Sequence, residues 1–344
     1  MTREPGRLRV AVLQGGRSSE HEVSLASARS VLAALDPDRY DTVAVEIGRD
    51  GRWRELERGP AGELSRPGTG NGVALTLSQG AEPAPLGEVD VVLPVLHGPF
   101  GEDGTVQGFL ELAGVPYVGA GVAASALCMD KDLMKAVLRD RGIPVARNHT
   151  LLDGDPVRNE LGYPVFVKPA RLGSSIGITK ATTAGELEAG VALARRHDDK
   201  VLVEEFVAGV EVECGVLGNR QPIASLPGEI VAHADWYDYG AKYDRGGMDL
   251  VIPPRVSPET VGRVQQLSVE AFVATGCEGM ARVDLFVRPD GEVLVNELNT
   301  IPGFTATSVY AALFAASGVP YAELLDRLIE LALERHERRS KLAF

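Results

Sequence analysis

Apolar positions in this chain fall into two rhythms. Through the first third, short continuous apolar runs at Leu8 to Leu13, Val43 to Ile47 and Val89 to Leu96 alternate with a helical pattern from about Ser24 to Leu35. That alternation predicts a parallel sheet with crossover helices. Such sheets place ligands at the carboxyl ends of their strands, and two glycine- and charge-rich loops stand there. One is Gly15-Gly16-Arg17-Ser18-Ser19-Glu20-His21-Glu22, the other His97-Gly98-Pro99-Phe100-Gly101-Glu102-Asp103-Gly104. The first lacks the GxGxxG order of a dinucleotide fingerprint. It also suits a plain helix start, with Ser18 or Ser19 as cap and Glu20 and Glu22 favoured by the helix dipole.

Further on, a helix is predicted from Ala123 to Arg139, carrying Met129-Asp130-Lys131 and ended by Gly142-Ile143-Pro144. A buried strand, Tyr163 to Pro169, holds Lys168 near its end. The loop Arg171-Leu172-Gly173-Ser174-Ser175-Ile176-Gly177 follows. Its glycines and serines can fold over phosphates and offer them backbone N–H groups, although no Gly-Lys-Ser/Thr leads into a helix, so it is not a Walker A loop. Thr183 and Glu186 form a capping box. Val201 to Val207 is an apolar strand interrupted by Glu204 and Glu205. Asp235 to Pro254 is rich in Tyr, Gly and Asp with little periodicity, and its length suits a lid. Taken singly, Lys131 and Lys168 read as solvated lysines.

The most informative stretch runs from Gly279 to Gly303: two strand-like segments, GMARVDLFV and EVLVNELN, joined at Arg288-Pro289-Asp290-Gly291. Alternation places Arg282, Asp284 and Phe286 on one face of the first strand and Val295, Glu297 and Asn299 on one face of the second. A two-residue turn at Asp290-Gly291 would set position 289 against 292, Asp284 against Glu297 and Arg282 against Asn299. A three-residue loop, Pro289-Asp290-Gly291, is the alternative, and would move Glu297 to the other face. Two carboxylates ~5 Å apart repel by roughly 3 kcal/mol at an effective dielectric of ~20, so they call for a proton, water or a cation between them. With an amide oxygen beside them, these hard ligands suit Mg²⁺, which takes its remaining ligands from water and phosphates.

Composition narrows the field. The chain has 344 residues, enough for two or three domains. A net charge of -13 argues against nucleic acid as a main partner. Cys128, Cys214 and Cys277 are widely spaced, without a CxxC pair, and read as free thiols in a reducing compartment. No signal peptide or membrane span fits the sequence, so a cytoplasmic protein is expected.

In order along the chain, GGRSSEHEVS, LHGPFGEDGTVQG, MDK, VKPARLGSSIGI, EEFVAGVEV, YDYGAKY, ARVDLF, NELNTIPG and TSV resemble the ATP-grasp superfamily and, within it, the D-alanine:D-alanine ligase family. The resemblance implies an α/β and α+β three-domain architecture: an N-terminal parallel α/β domain (1–119), a central domain (120–207) and a C-terminal domain (208–344) with its lid at 235–254. ATP would be gripped between antiparallel sheets of the last two. It further implies ATP contacts from Lys131, Lys168, Ser174, Ser175, Glu204, Glu205, Val207, Glu211 and Lys242. Asp284, Glu297 and Asn299 would hold two Mg²⁺ ions, for which Mn²⁺ could substitute. Glu20 would bind the ammonium of the first D-alanine, with His97 nearby. Ser308 would take the carboxylate of the second beside Val309. Arg282 and the Gly303 N–H would stabilise the oxyanion, and Tyr243 would join Ser174 and Glu20 in a hydrogen-bonded set. Tyrosine, not histidine, at 243 points to a dipeptide maker over a D-lactate ligase. A homodimer in cell-wall precursor synthesis is the implied setting, against the rival of a nucleotide-binding regulator without turnover.

Overall fold

The computed structural model describes residues 6–58, 64–65, 89–232 and 248–343. Lys242, Tyr243 and most of the expected lid lie outside them.

Three sheets carry the molecule. The first contains β1 (Leu8–Gly15), β2 (Tyr40–Ile47), β3 (Trp53–Arg58), β4 (Leu64–Ser65) and β5 (Val91–Pro94), in the order β4-β3-β2-β1-β5. The strands β2, β1 and β5 are parallel, as the apolar runs predict, and β3 and β4 add an antiparallel edge. The helices α1 (His21–Ala34) and α2 (Thr105–Leu112) follow β1 and β5.

The next pattern, predicted as one helix, is two: α3 (Val122–Met129) and α4 (Lys131–Asp140). Asp130 between them is extended, and its carboxylate caps α4 by accepting from the Leu133 N–H at 3.1 Å. A capping aspartate competes with helix continuation because its side chain replaces an intrahelical partner. The break also lets the Lys131 N–H reach the Ala170 carbonyl, at 3.0 Å.

The second sheet is antiparallel: β6 (Asn148–Leu152), β7 (Val165–Pro169), β8 (Thr179–Ala181) and β9 (Lys200–Glu205), ordered β6-β9-β7-β8 and backed by α5 (Ala184–Ala194). The third, also antiparallel, holds β10 (Val210–Gly218), β11 (Ile223–Ala224), β12 (Gly228–Ala232), β13 (Met248–Val251), β14 (Gly279–Val287) and β15 (Val293–Asn299). Against it pack α6 (Pro258–Ala274), started by the Ser257 cap and Pro258, and α7 (Val309–Ala316). The last helix, α8 (Tyr321–Ser340), shares a core with β1, β5 and α1. No helix among the described residues is long and apolar enough to cross a membrane.

The β14–β15 turn corrects one expectation and explains another. Val287 pairs with Val293, the Arg288 N–H donates to Glu292 O at 2.8 Å, and Gly291 has φ +88°. The loop is therefore Pro289-Asp290-Gly291, three residues long, and 289 does not face 292. Asp284 nevertheless pairs with Glu297 and Arg282 with Asn299, because a register shift between Asp284 and Leu285 leaves Asn296 as an extra residue on β15. The bulge takes back the one-residue offset made by the longer turn. Val295, expected on the face of Glu297 and Asn299, instead lies in the core opposite Leu285, and without the bulge strict alternation from it would turn Glu297 inward as well.

Candidate active site

A cleft of about 440 Å³ opens between the second and third sheets, within the usual size of a small-molecule site. One wall is Lys131, Phe166, Lys168 and the loop Leu172–Ser175. Glu204 to Val207, at the end of β9, continue that wall, and the other brings Glu211, Asp284, Phe286, Asn296 and Glu297. Of the expected ATP contacts, every one within the described residues lines this cleft. Of the expected metal ligands Asp284 and Glu297 do, while Asn299 borders a smaller adjoining space with Lys131 and Glu297.

The strand pairing creates a row of acids across the third sheet: Glu213 on β10 faces Asp284 on β14, which faces Glu297 on β15. Arg282 lies in this row. Its Nε is 2.7 Å from Asp284 Oδ1 and 2.9 Å from Glu213 Oε2, and its Nη2 donates to Asp284 Oδ2 at 2.7 Å. Burial opposes the guanidinium charge, but Asp284 and Glu213 outweigh it and hold its pKa above the ordinary arginine value. Asn299 Nδ2 donates to Asp284 Oδ2 at 3.0 Å, and Lys131 Nζ stands 3.2 Å from Glu297 Oε2. The sequence reading missed Glu213, whose only signal is an acid inside the apolar β10 pattern.

Among the described residues, no three His, Cys, Asp or Glu side chains are gathered closely enough to cage a metal alone. The donor set is instead two facing carboxylates with an amide, opposite cleft-lining lysines. That chemistry fits Mg²⁺ completing its shell with water and phosphate oxygens, and an amide turned about its last bond presents oxygen in place of nitrogen.

On the opposite wall, Lys168 Nζ donates to Glu204 Oε1 at 2.6 Å and lies 3.4 Å from Asn296 Oδ1. Lys131 Nζ donates to Leu172 O at 2.9 Å, tying α4 to the serine loop. In that loop Ser174 and Ser175 both have left-handed backbones, φ +55° and +56°, a conformation that costs a non-glycine residue roughly 1 to 2 kcal/mol. The Ser174 hydroxyl donates to Glu20 Oε1, so the loop is joined to the end of the first sheet. Glu205 points its carboxylate at Arg147 and Arg288, and its N–H donates to Arg147 O at 2.9 Å.

Glu20 is buried at the head of α1, and at Gly98 a Cβ would meet its Oε2 at 2.6 Å, so a side chain there would displace it. His97 is buried and its pKa lies below the ordinary histidine value, because burial outweighs the pull of Glu20. Its neutral ring has both nitrogens committed: Nδ1 donates to Ile301 O at 2.9 Å, and Nε2 accepts from Ser27 Oγ at 3.1 Å. His97 therefore anchors the Ile301–Gly303 segment and is not a free base. Ser308 precedes the first turn of α7 without a side-chain cap bond to it; its Oγ instead accepts from the Thr305 N–H at 2.9 Å and lies within 3.4 Å of where a Gly303 side chain would begin. Val309 is the first residue of that helix. Glu102, also missed, accepts from the N–H groups of Gly98 (2.9 Å) and Ile301 (3.2 Å), and burial, then Glu20, pushes its carboxyl up to about 8.

The comparisons decide what this arrangement belongs to. Family models described as D-ala D-ala ligase N-terminus and D-ala D-ala ligase C-terminus match residues 9–120 and 137–330. The chain belongs to the D-alanine–D-alanine ligase family. A D-alanine–D-alanine ligase of Kineococcus radiotolerans is 50% identical over 365 aligned residues, covering 95% of this chain and 97% of the relative. Among solved structures, the D-alanine–D-alanine ligase from Coxiella burnetii is 39% identical with a TM-score of 0.85, covering 98% of this chain and 97% of that one. The VanG D-Ala:D-Ser ligase from Enterococcus faecalis is 36% identical with a TM-score of 0.83, covering 95% and 99%. The sheets described above thus form the ATP-grasp fold of this ligase family.

Proposed function

We propose that this chain joins two D-alanine molecules into D-alanyl-D-alanine, spending ATP and releasing ADP and phosphate, for the synthesis of peptidoglycan precursors. One observation carries the reading: lysines from α4 and β7 and facing carboxylates from β14 and β15 meet in one cleft, whose serine loop is bonded to Glu20 at the end of the first sheet.

The reaction explains the residue types. A carboxylate is a poor electrophile because oxide would have to leave, so the first D-alanine is phosphorylated to an acyl phosphate before the second attacks. Lys131 and Lys168 offset phosphate charge. Asp284, Glu297 and Asn299 would hold Mg²⁺, which supplies further compensation of phosphoryl charge when bound. Glu20 receives the ammonium of the first D-alanine. The amine of the second attacks the acyl carbon, and its carboxylate lies toward Ser308. As the oxyanion develops, Arg282 and the Gly303 N–H donate to it, an effect of roughly 3 to 4 kcal/mol per donor. Arg282 is suited to this because Glu213 and Asp284 fix its guanidinium in place. Water must be shut out, since an open site would hydrolyse the acyl phosphate. Phe166, Val207 and Phe286 would furnish apolar wall for the base, and Glu211, which lines the same cleft, would take the ribose hydroxyls. The domain limits 1–119, 120–207 and 208–344 belong to the same proposal.

The test is ADP release coupled to dipeptide formation, identified by mass, with D-alanine, D-serine and D-lactate offered as second substrates. D-alanyl-D-alanine as the main product at neutral pH is expected. D-serine, the second substrate in the VanG enzyme's name, would displace this reading if it were preferred.

A further inference from the structure

Lys135 does not line the cleft, yet its whole side chain is shut off from solvent. It lies one turn after Lys131 on α4, the same helix face, and its Nζ stands 2.7 Å from Glu204 Oε2. Lys168 takes the other oxygen, Oε1, at 2.6 Å. Glu204 itself sits on β9, where it lines the cleft while remaining 2% exposed. Two ammonium groups thus share one buried carboxylate, and only one of those ammoniums can reach a ligand. A fully buried ammonium is costly unless its charge is used.

We propose that Lys135 is a nucleobase-specificity residue that acts through Glu204. Its ammonium pins one carboxylate oxygen and leaves the other free to accept from an exocyclic amino group. The inference rests on reading the cleft as the ATP site. When polyphosphate enters, Lys168 is drawn toward it and Glu204 Oε1 loses its partner. Lys135 remains, because it has no path to the ligand. The carboxylate stays charged and hence acceptor-only, so it matches the amino group of adenine and opposes the oxo group of hypoxanthine at the same ring position. Without Lys135, the buried Glu204 would either hold Lys168 away from the phosphates or take up a proton and become a donor. In the first case ATP binds less well, and in the second a 6-oxo base is no longer refused. Burial outweighs the pull of Glu204 and holds the Lys135 pKa below the ordinary lysine value, while the two lysines outweigh burial to hold Glu204 below the ordinary carboxylate value. The Glu204 direction agrees with a charged carboxylate, and the 2.7 Å approach of Lys135 Nζ to Glu204 Oε2 supplies the pairing.

The experiment is calorimetric binding of Mg-ATP and Mg-ITP to the full chain and to Lys135→Met, with steady-state KM values alongside. The expected result is an ATP Kd at least tenfold weaker, an ATP-to-ITP preference narrowed at least tenfold, and a KM for D-alanine within twofold of wild type. Lys135→Arg should regain most of the preference. Unchanged Kd values and preference in Lys135→Met, or equal losses for ATP, ITP and D-alanine, would overturn the proposal. Should Lys135→Met not fold, the pair Glu204→Gln and Glu204→Gln/Lys135→Met decides. Equal ATP-to-ITP preference in the two supports action through Glu204, and a further loss in the double variant overturns it. Failure of the ligase reading is seen separately, as wild-type protein that binds ATP yet forms no dipeptide.

Discussion

Two acids, Glu102 and Asp284, show how surroundings assign different duties to a carboxyl group. Glu102 has its carboxyl raised to about 8 by burial and by the charge of Glu20. A group whose folded pKa exceeds its unfolded value binds more protons when folded, so its contribution to stability is full below about pH 4.5 and lost as pH rises through about 8. The ligand-free protein should therefore lose on the order of 4 kcal/mol across that window from this group. Glu102→Gln should flatten the slope, which melting curves at pH 5, 6.5 and 8 would reveal; an unaltered slope would place the titration elsewhere. Asp284 is held by Arg282, which donates to both of its oxygens. In Asp284→Asn, Glu213 still pairs Arg282, so folding should suffer by only about 1 to 2 kcal/mol. The Mg²⁺ concentration for half-maximal ligation should rise at least roughly tenfold, because one hard charged ligand is gone. Normal metal dependence would remove Asp284 from the metal set.

At the scale of elements, the C-terminal hairpin shows what the sequence could and could not yield. Period-two alternation made the shared face of Arg282 and Asp284 legible. The turn length was not, because Asp290-Gly291 serves either loop, and a bulge at Asn296 leaves no local signal: it is set by the pairing partner across the sheet. Two differences of one residue cancelled. The same limit applies to α3 and α4, where periodicity continues through Asp130 and only the cap geometry reveals the break. Deleting Asn296 tests the bulge. The straightened strand should keep Glu297 opposite Asp284 and leave Mg²⁺ dependence unchanged, while the Lys168 contact at 3.4 Å is lost and ATP KM rises a few-fold. A large rise in Mg²⁺ demand would mean that the bulge aims Glu297 as well.

For the whole molecule, the ordered motifs implied the family, but not how the first sheet is held over the cleft. Long-range contacts of that kind leave no periodic trace. Arg335, deep in α8, donates to the carbonyls of Gly119 and Tyr117 (2.6 Å for the latter), and its guanidinium lies over the Tyr117 ring at 4.3 Å. From sequence it reads as one more charge on a basic helix end. Gly119 in turn lies against Gly279, where a Cβ would meet its Cα at 3.2 Å, so the segment leading to α3 and Lys131 is wedged between α8 and β14. Arg335→Met keeps most of the apolar stem and removes the donors, leaving two buried carbonyls without them. The expected cost is about 3 kcal/mol in global stability. Hydrogen exchange should speed up over residues 117–121 before it does in β7 or β9, since the clamp acts at the junction and not inside the second sheet. Equal acceleration in all three sheets would show that Arg335 supports the fold at large, with no particular hold on the segment that leads to α3 and Lys131.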